Sequence, residues 1–171
     1  MRVAVADTGP LNYLILIGCI EIVPSLFGAV LIPDAVLEEL RRPAAPDAVR
    51  AWASALPYWV EIGSIKTSHG GPSYLDRGES DVLRLAGERG ATLILMDDRR
   101  GRVAAEAGGL TVIGTLGILA QAARRGTVDL PAAVSRLRDT NFRASESVSG
   151  SLDRRLGRSP AVVDSPMPVA R

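Results

Sequence analysis

Several carboxylates in this chain stand where short apolar runs stop. Val3 to Ala6 runs straight into Asp7, followed by Thr8, Gly9 and Pro10, and Ala91 to Met96, ATLILM, runs into Asp97-Asp98. Between them, Glu38-Glu39 in VLEEL and Glu79 in LDRGE fall in segments with helical periodicity. Gathered on one edge of a sheet, so many carboxylates would repel one another, and several would have to stay protonated. A divalent cation removes that repulsion. Hard oxygen ligands without a His or Cys cluster point to Mg²⁺ or Mn²⁺ and away from zinc. Such ions activate a water and hold a phosphate during in-line displacement, so the implied substrate is a phosphodiester or phosphomonoester. Each acid alone could be solvated surface, and Asp7 could simply cap a helix. Their recurrence at comparable places favours chemistry.

The elements that must position these acids follow from periodicity. A continuous apolar run bounded by turn residues suits a strand buried on both faces, as in a parallel sheet. Residues 3–6, 29–32, 58–65, 91–96 and 110–113 read as strands. Helices are expected from Pro10, over 21–27, 35–42, 47–56, 75–90 and 99–107, from Gly114-Thr115 through Ala123, and over 130–138. A further helix is expected over Ser145–Leu156, where Val148, Leu152 and Leu156 share a stripe. The alternation predicts an α/β fold with a central, mainly parallel sheet and right-handed crossovers. Residues 1–125 would form the main domain and 126–156 a helical extension of it, with 157–171 a proline-containing tail of little periodicity. Asp7 would sit where a central strand gives way to a helix, the edge on which open α/β sheets bind ligands.

The chain has 171 residues, the size of one domain, with 47% hydrophobic and 23% charged residues. Its one cysteine, Cys19, rules out an intramolecular disulfide framework, suits a reducing cytoplasm and reads as a small core residue. We find no signal-peptide pattern and no apolar run long enough to span a bilayer, so no membrane partner is expected. The net charge of +1 hides an asymmetry. Residues 1–98 carry 8 basic and 13 acidic groups, whereas 99–171 carry 12 and 6. An acidic site beside an arginine-rich flank is compatible with phosphate contacts. His69-Gly70-Gly71, in the loop over 66–74, resembles an oxyanion loop, but the chain contains no Gly-x-Ser-x-Gly elbow.

DTGPL at 7–11, VLEEL at 36–40, LDRGE at 75–79, LILMDDRRGR at 93–102 and GTLGIL at 114–119 occur in one order. Together they resemble the PIN domain, and more narrowly a prokaryotic PIN-like branch marked by DTGPL, LDxGE and DDRxGR. The likeness spans about residues 3–125, and the helices at 130–156 look like that branch's C-terminal extension. It implies a PIN-like three-layer sandwich and a Mg²⁺- or Mn²⁺-dependent ribonuclease related to VapC-like toxins, with one or two ions. By position, the implied acids are Asp7, Glu39, Glu79 and Asp98, with Asp97 the alternative at the last place. Glu38 matches a surface neighbour of Glu39, and Glu79 fits the third position better than Asp81. Thr8 and Thr115 would line the site, and Arg99, Arg100 and Arg102 would face RNA phosphates. A small antitoxin protein and a homodimer through residues 10–27 are partners the resemblance suggests.

The expected reaction is hydrolysis of an RNA phosphodiester by metal-activated water, leaving 5′-phosphate and 3′-hydroxyl ends. The rival from another class is a catalytically silent PIN-like module that binds RNA or a protein. An aspartic protease shares the apolar strand followed by Asp-Thr-Gly, but the helical periodicity after Pro10 and over 75–140 argues against its nearly all-β fold. A haloacid-dehalogenase-type phosphatase would need an Asp at position 9, which is Gly, and a receiver domain would need paired acids near the first strand.

Overall fold

The computed structural model describes residues 3–66 and 73–143. Residues up to Thr140 form one compact unit. The helix expected over 145–156, the tail over 157–171 and most of the loop over 66–74 lie outside the described residues.

Five short strands form one sheet in the order β3-β2-β1-β4-β5, every neighbouring pair parallel. They are β1 (Ala4–Ala6), β2 (Val30–Pro33), β3 (Val60–Gly63), β4 (Leu93–Leu95) and β5 (Thr111–Ile113). β1 lies at the centre, its three residues fully buried, as its small apolar sequence requires. The α/β reading with a parallel central sheet therefore holds.

Helices α1 (Thr8–Leu16) and α2 (Ile22–Phe27) join β1 to β2, and α3 (Asp34–Leu40) and α4 (Asp47–Ser54) join β2 to β3. α5 (Arg77–Arg89) leads from β3 back across the sheet to β4, and α6 (Arg99–Ala107) joins β4 to β5. α7 (Thr115–Arg124) and α8 (Leu130–Arg138) follow, packed on each other. Strand placement steps one way from β1 to β3, then reverses through α5. Since parallel crossovers are right-handed, the two sets of connecting helices cover opposite faces. α1 packs on α3, α4 and α7, while α5 packs on β1, β2, β4 and α6 and meets α3. The reversal makes the gap between β1 and β4 the topological switch point, where the strand ends open a crevice.

Two helix starts differ from the sequence reading by two residues. α1 begins at Thr8, two residues before Pro10, because proline within a first turn lacks only an amide that has no intrahelical partner anyway. α5 begins at Arg77 because Asp76 caps it: Asp76 Oδ1 accepts from the Glu79 amide at 2.8 Å, and Glu79 Oε2 accepts from the Asp76 amide at 3.0 Å. This reciprocal pair is a capping box.

The core is aliphatic, with Leu11, Leu14, Ile32, Leu40, Leu85, Ile94, Leu95, Met96, Ile118 and Leu119 fully buried. Cys19 is buried as expected, and Arg136 of α8 donates from Nη2 to its Sγ at 3.4 Å. Gly63 ends β3 directly beneath Leu85, whose Cδ1 would lie 2.5 Å from any added Cβ. Gly63→Ala is expected to destabilise the fold by about 1–3 kcal/mol through overpacking. In urea titrations the midpoint should fall with an unchanged slope, while Ile62→Thr, on the exposed side of the same strand, should stay near wild type.

Candidate active site

The switch point gathers the acids. Asp7 follows β1 and occupies the cap position of α1, yet its side chain makes no capping hydrogen bond. Its own amide bonds to Leu95 O at 2.9 Å, tying the end of β1 to β4. Asp7 is 9% exposed, and among the described residues no Arg or Lys pairs with it. Burial pushes its carboxyl up to about 7. The Thr8 amide offsets part of this, and the charges of Glu39, Asp76 and Glu79 add to it. The capping alternative for Asp7 therefore finds no bond, and the carboxylate stays available.

Glu39 reaches the same place from α3. Thr8 Oγ1 donates to Glu39 Oε2 at 2.7 Å, so the hydroxyl beside Asp7 fixes the second acid. Glu38 points away: it is exposed and paired with Arg77 at 2.9 Å. Gly78, buried in the first turn of α5, faces the cluster with no side chain of its own. A Cβ there would lie 3.4 Å from Asp76 Oδ1, 3.6 Å from Glu39 Oε2 and 3.7 Å from Asp7 Oδ1.

Glu79 and Asp98 hold each other by a side-chain hydrogen bond. Burial, then Asp98 and the charge of Asp76, raise Glu79 to about 7 against the pull of the Asp76 amide. Asp98 also pays for burial, but the bond from Glu79 and the amides of Gly101 and Arg100 bring it below the ordinary carboxylate range. It caps α6, accepting from Arg100 N at 2.7 Å and Gly101 N at 3.3 Å. The two carboxyls titrate as a pair, with Glu79 the member raised and Asp98 the member lowered.

Asp97 turns the other way. It accepts from the Thr115 amide at 2.8 Å and from Thr115 Oγ1 at 2.6 Å, at the start of α7. A Cβ on Gly9 would lie 3.3 Å from its Oδ2, so α1, β4 and α7 meet around this carboxyl. Burial raises it, while the two Thr115 bonds and Arg102 pull it back part of the way. Arg102 is half-buried and donates to Met96 O at 3.2 Å, whereas Arg99 and Arg100 are exposed beside Asp98.

Two residues were missed in the sequence. Asp76 brings a further carboxylate beside Asp7, and its signal was the D-x-x-E spacing of a capping box. Tyr13 of α1 lies close enough to Asp97 that its hydroxyl is raised by burial and then by that charge. No spacing rule points to it.

The donor set is all oxygen, as Mg²⁺ and Mn²⁺ require. Asp7 is a buried carboxylate without a basic partner, and Gly78 leaves open the space that three carboxylates face. These observations fit a hard divalent cation. As the side chains stand, no three Asp, Glu, His or Cys among the described residues converge closely enough to hold one. Thr8, Thr115 and the Glu79–Asp98 bond hold the acids in separate pairs, so they would have to draw together around the ion.

A family model described as "DUF3368: PIN domain" matches residues 3–158. The chain belongs to the PIN-domain family. This is a family of typically metal-dependent nucleases whose members generally bind divalent metals. Among solved structures it is similar to a PilT N-terminus domain protein from the hyperthermophilic archaeon Sulfolobus solfataricus P2. That match has a TM-score of 0.53 at 16% identity and covers 70% of this chain and 92% of the other. At that identity the likeness is one of fold. None of the curated proteins matches the chain with significance. Among the described residues, no helix of this PIN domain is long and apolar enough to cross a membrane.

The raised carboxyl of Asp7 makes a prediction about metal-free stability. Its folded value of about 7 exceeds the ordinary 3.8, so between them the native state binds more protons than the unfolded chain. Stability therefore falls as pH rises through that window, and it stays lower above it. Asp7→Asn removes the penalty. In EDTA at pH 8 the variant should be more stable than wild type by up to roughly 4 kcal/mol. The gain should vanish near pH 4. Thermal unfolding across pH checks this, and an Asn variant that is less stable at pH 8 would contradict it.

Proposed function

We propose that this PIN domain is a metal-dependent endoribonuclease that hydrolyses RNA phosphodiesters. The observation that carries the reading is Asp7, a buried carboxyl without a basic partner at the β1/β4 switch point, with Glu39, Asp76 and Glu79 close enough to raise it. Crowding of acids around a buried carboxyl is costly for folding, and a site for a divalent cation accounts for it. The ordered motifs DTGPL, LDRGE and DDRRGR support the narrower reading within the prokaryotic PIN-like branch.

Asp7, Glu39, Glu79 and Asp98 would hold one or two Mg²⁺ or Mn²⁺ ions. When bound, such a cation neutralises charge on the carboxylates and the phosphate and makes water a better nucleophile. The chain's own groups set up the rest. Thr8 orients Glu39 through its hydroxyl, and the α6 amides keep Asp98 ionised. Glu79 and Asp98 titrate as a pair, and any proton they share must leave before both can act as ligands. Asp97, bound to Thr115, fastens α7 to the site and serves as a positioning residue in this scheme. Arg99 and Arg100, exposed on the first turn of α6, would face the RNA backbone.

One observation favours the other reading, a silent module that binds RNA or a protein partner. Glu79 and Asp98 satisfy each other without a cation, and no triple of ligands is already assembled among the described residues. A cleavage assay separates the two. Metal-free protein given Mg²⁺ or Mn²⁺ should cut single-stranded or structured RNA to 5′-phosphate and 3′-hydroxyl ends, and Asp7→Asn should lose at least about 100-fold in rate. Arg99→Ala with Arg100→Ala should raise KM and flatten the loss of binding with salt, leaving kcat near wild type. Ends bearing a 2′,3′-cyclic phosphate would refute the mechanism. Equal cutting by wild type and Asp7→Asn would refute the site.

A further inference from the structure

The Cβ-less face of Gly78 is the point at which three carboxylates from three elements meet: Asp7 after β1, Glu39 on α3 and Asp76 before α5. We propose that Gly78 is the floor of the cation site and that Asp76 is a further carboxylate of it, alongside the four acids named above. This rests on the metal-dependent reading and deepens it.

Three features argue for the assignment. Asp7 is nine-tenths buried, makes no capping hydrogen bond, meets no basic side chain, and directs Oδ1 to within 3.7 Å of where a Gly78 Cβ would be. A carboxyl in that state either keeps a proton or takes up a counter-charge, and the open space beside it is over Gly78. Next, any other residue at 78 would put a methyl or more among the oxygens, 3.4–3.7 Å from each, where an ion and its water need room. Glycine is otherwise a poor choice within a helix, where alanine is better by roughly 1 kcal/mol.

Finally, Asp76 is coupled to the site from two sides. Its Oδ1 caps Glu79 N at 2.8 Å, while its own amide holds Glu79 Oε2 at 3.0 Å. Its carboxylate thus lies beside Asp7 and Glu39, and its backbone fixes the carboxyl of Glu79. A serine at 76 would cap α5 equally well, since Ser and Asp rank together as caps. Capping therefore does not require a charge at this position.

The test is Mn²⁺ binding to the full chain by calorimetry at pH 8, together with thermal unfolding in EDTA. Gly78→Ala and Asp76→Ser should each bind Mn²⁺ at least about ten-fold more weakly than wild type. Their Tm in EDTA should be equal to or above that of wild type, because Ala favours the helix and Ser keeps the cap. Loss of affinity with retained Tm is a result that a merely structural role would not give. If Gly78→Ala fails to fold, Asp76→Ser and Asp76→Asn carry the comparison. Wild-type affinity in folded variants overturns this inference and leaves the nuclease reading intact. A wild-type chain that binds no Mn²⁺ overturns both.

Discussion

The site of this PIN domain depends on one electrostatic constraint: carboxylates crowded at the edge of the sheet around Asp7, which is buried from water. The sheet creates the crevice. β1 is central and lined with Ala and Val, so its end is covered on both faces, and Asp7 emerges there with little access to water. The reversal of strand order between β1 and β4 brings Asp97 and Asp98 to the neighbouring strand end. Repulsion among these groups would open the structure if nothing offset it.

Part of the offset is built from helix ends. α1, α5, α6 and α7 all begin at this edge, each presenting unpaired amides and the positive end of its dipole. Asp76 engages the amides of α5, Asp98 those of α6, and Asp97 the first amide of α7. Asp7 sits at the start of α1 but engages no capping bond there. The acids therefore fall into two kinds. Some are partly neutralised by the fold itself, while Asp7, beside the Glu39 that Thr8 steadies, is left to be balanced by a proton or an external cation. That division explains why Asp98 is held below the usual carboxylate range while Asp7 is pushed well above it.

Much of this could be read along the chain. The strands announce themselves as apolar runs, and α6 and α8 begin and end where periodicity puts them. Asp7 was legible because it follows a strand that must be buried. The separate directions of Asp97 and Asp98 were not, since adjacent residues leaving a strand are sorted by local backbone geometry and by partners far along the chain, as Glu79 is for Asp98. Thr115 is that partner for Asp97, and it becomes visible only when α7 docks. Asp76 was overlooked because a capping residue looks purely structural in sequence. Its proximity to Asp7 and Glu39 arises from the packing of α3 against α5.

A cation entering this site displaces protons from buried carboxyls as it binds. Titrating Mn²⁺ into metal-free protein at pH 6.5, in two buffers of different ionisation enthalpy, measures the protons released per ion. With Asp7 and Glu79 both raised to about 7, the account predicts that binding releases about one proton or more, and that release falls toward zero by pH 9. Binding at pH 6.5 without proton release would contradict it, because these acids would then already be ionised in the free protein.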